Sequence, residues 1–137
     1  MTDKNKGLKD ELKVTSFDDL QKVRKDFKEG EIVELPEFDT GRPFIAKLKR
    51  VALLDLVNNE ILPNTLLGAV QEIYEGKQRA DIKKYGEVLN IVASLSLIEP
   101  EYENVKDILT DTQKVAILSY ATHGISGLLP FRTIFNS

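Results

Sequence analysis

His123 is the single histidine of the chain, and there is no cysteine. Zinc sites of the common kinds draw on several Cys and His ligands, so this composition leaves none to be built. At the end of an apolar helical run, His123 suits the last turn of a helix, where a cation faces the negative end of the dipole. Gly124-Ile125-Ser126-Gly127-Leu128 invites comparison with a nucleophile elbow, G-x-S-x-G, but Leu128 stands where the second glycine belongs. The residues before it also read as a helix rather than the strand an elbow needs. Gly41-Arg42-Pro43 belongs to no phosphate loop, since neither GxxxxGK[ST] nor GxGxxG occurs. Glu99, Glu101 and Glu103 cluster without the spacing or glycine of a calcium loop. Lys77, Arg79, Lys83 and Lys84 form the densest basic group, with Tyr85 as its one aromatic neighbour. Tyr85 falls on a core-facing position, so the group lacks a stacking platform for bases. The expectation is therefore a protein that is not an enzyme, with no catalytic residue, metal or cofactor, and that binds no nucleic acid.

Composition points the same way. The net charge of −3 opposes general affinity for phosphate backbones. Charges are mixed rather than segregated: residues 1–30 carry eight Lys/Arg and seven Asp/Glu, the pattern of solvated faces. No apolar run reaches the length of a membrane span. The N-terminal Met1-Thr2-Asp3-Lys4-Asn5-Lys6 lacks the apolar core of a signal peptide. These features, with the lack of cysteine, lead to the expectation of a cytoplasmic protein. A chain of 137 residues is expected to form one domain, with residues 1–14 as a mobile lead-in and 15–137 as the folded unit.

The elements organise around residues 31–57. In Glu31–Leu35, Val33 and Leu35 share one face; in Pro43–Arg50, Phe44, Ala46 and Leu48 share one face and Ile45, Lys47 and Lys49 the other. That period of two predicts an antiparallel hairpin at about 31–50. Pro36, Asp39, Thr40, Gly41 and Pro43 supply the turn. A lone hairpin is marginal in water, so its apolar side must rest on helices. Before it, Thr15 or Ser16 caps a helix over Phe17–Glu29, with Asp18 and Asp19 in the first turn, Gly30 at the end, and a narrow stripe of Phe17, Leu20, Val23 and Phe27. After it, a short Leu-rich helix runs to about Asn58. Asn64 then caps a helix over Thr65–Glu75, and Asp81 caps a longer one from Ile82 to about Ile98. Ile82, Tyr85, Val88, Leu89, Val92, Leu95 and Ser96 form the inward face of that long helix, which is expected to be the most buried. Gly86 within it suggests close helix packing. Thr110-Asp111-Thr112-Gln113 has capping-box spacing and opens a helix ending at His123-Gly124. The fold expected is mainly α, four to five helices with a small β-hairpin.

Taken together, several segments resemble the tail assembly chaperones of long-tailed phages and prophages of Gram-positive bacteria. Leu35-Pro36-Glu37-Phe38 is similar to that family's LPGF stretch, with Glu37 where glycine is frequent. Pro43–Arg50 resembles its PF-x-x-x-L-K-R strand, and Pro63–Gly68 its PN-x-L-L helix start. Ile98–Tyr102 resembles its (V/I)EP-x-(Y/F) turn, Leu109-Thr110-Asp111 its LTD segment, and Gly124–Arg132 its G-x-x-x-L-x-PFR ending. The resemblance spans about residues 16–132. It implies a protein of the host bacterial cytoplasm that coats the helical tape-measure protein during tail morphogenesis and keeps it in solution. It also implies help in recruiting tail tube subunits, and absence from the mature virion. Self-association is left open. The alternative is a small structural or connector component of the particle. For client contact the apolar tail, Leu128, Leu129, Phe131, Ile134 and Phe135, is the expected surface. Leu53, Leu56, Leu66 and Leu67 are a further groove candidate, better suited to core, and Lys47, Lys49 and Arg50 are expected to be solvated.

Overall fold

The computed structural model describes residues 12–77 and 81–131. Helix α1 (Phe17–Glu29) leads into strands β1 (Glu31–Leu35) and β2 (Phe44–Leu48). Helix α2 (Leu53–Asn58), a 3-10 turn (Asn64–Leu66) and α3 (Leu67–Tyr74) follow. Then come α4 (Ile82–Ser96), β3 (Leu97–Glu99), α5 (Tyr102–Val105), α6 (Asp111–His123) and a closing 3-10 segment (Gly124–Leu128). The protein is mainly α, as expected, with six α-helices among the described residues where four to five were expected. The sheet, however, has a third strand.

The hairpin pairs Val33 with Ala46 and Leu35 with Phe44, one of the registers that its alternation allows. Val33, Leu35, Phe44, Ala46 and Leu48 are all buried on one side. The expected helix to Ile98 instead stops at Ser96. Leu97–Glu99 pairs antiparallel with the end of β2, giving the order β1-β2-β3. A half-paired β2 edge attracts this segment. The Ser96 hydroxyl donates to the Lys49 carbonyl at 2.6 Å, and the Lys49 N–H donates to the Ser96 carbonyl at 2.9 Å. The paired backbone groups outweigh another helical turn.

Two apolar clusters fill the interior. One lies under the sheet and joins its inner residues to Ala93, Leu97, Tyr102, Ala116, Ile117, Tyr120 and Leu128. The other joins Val51, Leu56, Leu66 and Val70 to Val88, Val92, Leu118 and Ala121. Helices α4 and α6 contribute to both. The more buried of the two is α6, with seven of 13 residues buried against five of 15 in α4, which corrects the expectation that α4 is most buried. Being sandwiched, α6 shows no strong one-sided pattern in sequence. Ile82, expected to face inward, is exposed in the first turn of α4, where it lines a shallow depression beside Lys114 and Val115. Gly86 marks no close approach: a Cβ there would meet nothing within 4 Å.

The caps follow the sequence in three of four cases. Ser16 Oγ accepts from the Asp19 N–H at 3.1 Å, and Asp81 Oδ1 from the Lys83 N–H at 2.9 Å. The capping box at Thr110 and Gln113 is complete. Asn64 makes no side-chain cap, because Pro63 opens a 3-10 turn in its place and α3 starts only at Leu67.

Candidate protein-interaction surface

Helix α1 has no buried residue. Its cap, its acidic first turn and Gly30 define its ends, yet Phe17, Leu20, Val23 and Phe27 remain 67%, 51%, 61% and 43% exposed. At 100° per residue Leu20, Val23 and Phe27 lie within about 60° of one another, with Phe17 at the margin. An amphipathic helix ordinarily derives its stability from burying that stripe, and a 13-residue helix is marginal without it. Gly30 sets the helix in place. Its φ of +82° suits glycine, and a Cβ there would lie 2.5 Å from the Leu48 carbonyl oxygen and 2.7 Å from Ile98 Cδ1.

At its C-terminal end the stripe runs into a cavity of about 280 Å³ between α1, the strand exit and α2. Phe27 and Ile61 form the exposed apolar part of its lining, Leu95 is half-buried, and Val51 and Leu56 are buried. Charged side chains also line it: Lys28, Lys49, Arg50 and Asp55. The segment 49–51 is held firmly. The Val51 N–H donates to the Ala121 carbonyl at 3.0 Å, and the Tyr74 hydroxyl donates to the Val51 carbonyl at 2.6 Å. Arg50 Nη2 donates to the Thr122 carbonyl at 2.8 Å. Burial pushes the Tyr74 phenol up to about 12, opposed in part by the Arg50 charge. The Tyr120 hydroxyl donates to Glu31 Oε1, and burial first, then that carboxylate, raises its pKa. Both phenols are structural donors, and neither stands beside a group it could activate.

Of the tail residues expected to meet a client, the three described ones differ in exposure. Leu128 is 1% exposed and belongs to the cluster under the sheet, so its side chain is closed to a partner. Phe131 is half-buried against the same cluster, whereas Leu129 is exposed. Ile134 and Phe135 lie outside the described residues. Leu56 and Leu66 are core, and Leu67 lines a separate depression beside Val57 and Pro63. Helix α1 carries four exposed large apolar residues at helical spacing, and that signal was present in the sequence. Helical spacing of apolar residues is ordinarily a core signal, so the pattern alone does not reveal that the stripe stays exposed.

The other candidates for chemistry are dispersed. His123 is exposed in the last turn of α6, and Ser126 Oγ donates to its carbonyl at 2.9 Å. Glu103 pairs with Lys106 at 2.8 Å and Lys77 with Glu75 at 3.1 Å. Among the described residues no three acidic or histidine side chains converge as a metal site, and no helix is long and apolar enough to cross a membrane. Arg79 lies outside the described residues. Compared with protein-family models, with curated proteins and with solved structures, the chain shows no significant match to any.

Proposed function

We propose that this is a non-enzymatic client-binding protein that acts as a phage or prophage tail assembly chaperone and holds helical segments of a tape-measure protein during tail morphogenesis. One structural observation carries the binding part of this reading: α1 is a capped amphipathic helix with no buried residue, and its apolar stripe leads into a cavity lined by apolar and charged residues. Such a surface suits a client helix laid along it, with anchors at helical spacing. Many weak sites along one long client give a firm coat without tight binding at any one of them. The tail-assembly part rests on the resemblance of the segments between residues 16 and 132. On this reading the protein works in the bacterial host cytoplasm, contacts tail tube subunits as well as the tape-measure protein, and leaves before the particle is complete.

The test is co-expression with the tape-measure protein encoded nearby, followed by pull-down and a solubility assay of that client. The expected result is a soluble, co-purifying client. A client that stays insoluble and unbound overturns the reading. Mass spectrometry of purified particles should find the protein absent; its presence there identifies a structural or connector component instead.

A further inference from the structure

We propose that the cavity at Phe27 is an anchor site for an amphipathic helix that carries carboxylates beside its apolar anchor, an inference that rests on the client-binding reading above. The cavity's charged lining is three cations, Lys28, Lys49 and Arg50, against one carboxylate, Asp55. The whole chain has a net charge of −3, so this is a local excess of the opposite sign. Among the described residues neither Lys28 nor Lys49 is in an ion pair. Arg50 is held by a neutral carbonyl, that of Thr122, and is in no ion pair among the described residues. Beneath this rim Val51 and Leu56 are buried apolar residues. An apolar pocket ringed by cations selects an apolar anchor flanked by carboxylates, because complementary charge steers and orients the partner.

The stripe from Phe17 to Phe27 extends this site by about 15 Å, ten residues of helix at 1.5 Å each. That length suits a client helix aligned with α1 better than an extended peptide bound only at the cavity. A second copy of the chain fits less well. Its own α1 carries both signs beside the apolar stripe, Arg24 and Lys28 on one side and Asp19 and Asp26 on the other, so it offers the basic lining no excess of carboxylates.

The experiment uses the full chain and two labelled helical peptides with identical leucine and phenylalanine anchors. One peptide carries glutamates beside the anchors, the other lysines. Fluorescence anisotropy should show the glutamate peptide binding about tenfold more tightly, the effect of two or so exposed charge contacts. Added salt should narrow that gap. The variant Lys28→Glu/Lys49→Glu should reverse the preference with its melting curve unchanged, since both side chains lie outside the core. Equal affinities, no binding of either peptide, or an indifferent double variant overturns the inference. The wild-type peptide comparison stands by itself if the double variant fails to fold. Sedimentation of the chain alone supplies a further check: a dimer that Phe27→Asp dissociates gives the surface to a second copy and overturns the inference. The two readings fail separately. A tape-measure protein that co-purifies equally with wild type and the double variant defeats only the acidic-helix inference. A bound glutamate peptide with no captured tape-measure protein defeats only the tail-assembly reading.

Discussion

Gln113 and Pro36, 77 positions apart, are joined by a buried hydrogen bond: Gln113 Nε2 donates to the Pro36 carbonyl at 2.9 Å. The same side chain accepts the Thr110 N–H through Oε1 at 2.9 Å. One amide group thus caps α6 and ties it to the loop that leaves β1. Gln113 is fully buried, and both ends of its amide are used. The loop it holds also packs Phe38 against Phe44, with ring centroids 5.1 Å apart and planes tilted by 44°, so the turn between β1 and β2 is anchored from two sides.

Gln113→Ala should therefore cost more than an ordinary capping substitution. It removes half of the capping box and leaves the Pro36 carbonyl without its donor, together about 2–3 kcal/mol. Thr110→Ala, which removes only a cap, should cost about 1 kcal/mol. Urea unfolding of the two variants checks the ranking, and equal losses would show that the bond to Pro36 contributes nothing.

Two glycines of opposite character give a paired test. Gly30→Ala meets both a positive φ and the Leu48 carbonyl, and should destabilise by about 2 kcal/mol or more. Gly86 lies inside α4 with open space around it, so Gly86→Ala should stabilise by about 0.5–1 kcal/mol through helix propensity. Thermal midpoints of the two variants should move in opposite directions.

Alkaline unfolding should carry the signature of the buried phenols. Tyr74 is raised from 10.0 to about 12 and Tyr120 is also raised, both chiefly by burial. A phenol whose folded pKa lies above its unfolded value contributes stability in full below pH 10, and loses it as the pH climbs through the folded pKa. The thermal midpoint of wild type should thus fall between pH 10 and about 12. Tyr74→Phe should be less stable at neutral pH by about 1 kcal/mol, for the lost bond to Val51, and should show a shallower alkaline decline. A parallel decline in both proteins would refute the assignment to Tyr74.

The α1 stripe can be separated from the fold. Because α1 buries none of its residues, Leu20→Asp and Val23→Asp should each change stability by no more than about 0.5 kcal/mol. Both should abolish capture of the client in the pull-down. Hydrogen exchange adds a second readout: α1 amides should exchange quickly in the free protein and slow down when the client is bound. Variants that unfold the protein would show that the stripe is part of the core after all.

Local signals in the sequence determined the existence of the hairpin, the ends of α1, the Asp81 cap and the capping box at Thr110. Each depends on residues a few positions apart, with strict period or cap chemistry. The inward faces of β1 and β2 were legible for the same reason, since one face of a strand is either all core or all solvent. The tertiary structure decided what distant segments make of one another. It drew Leu97–Glu99 out of a helix to pair with β2, sent Gln113 to Pro36, and placed Leu128 in the core rather than on a client surface. It also left the apolar stripe of α1 without a buried residue. Apolar spacing states that a face avoids water, whereas which surface covers that face depends on contacts between segments far apart in the chain.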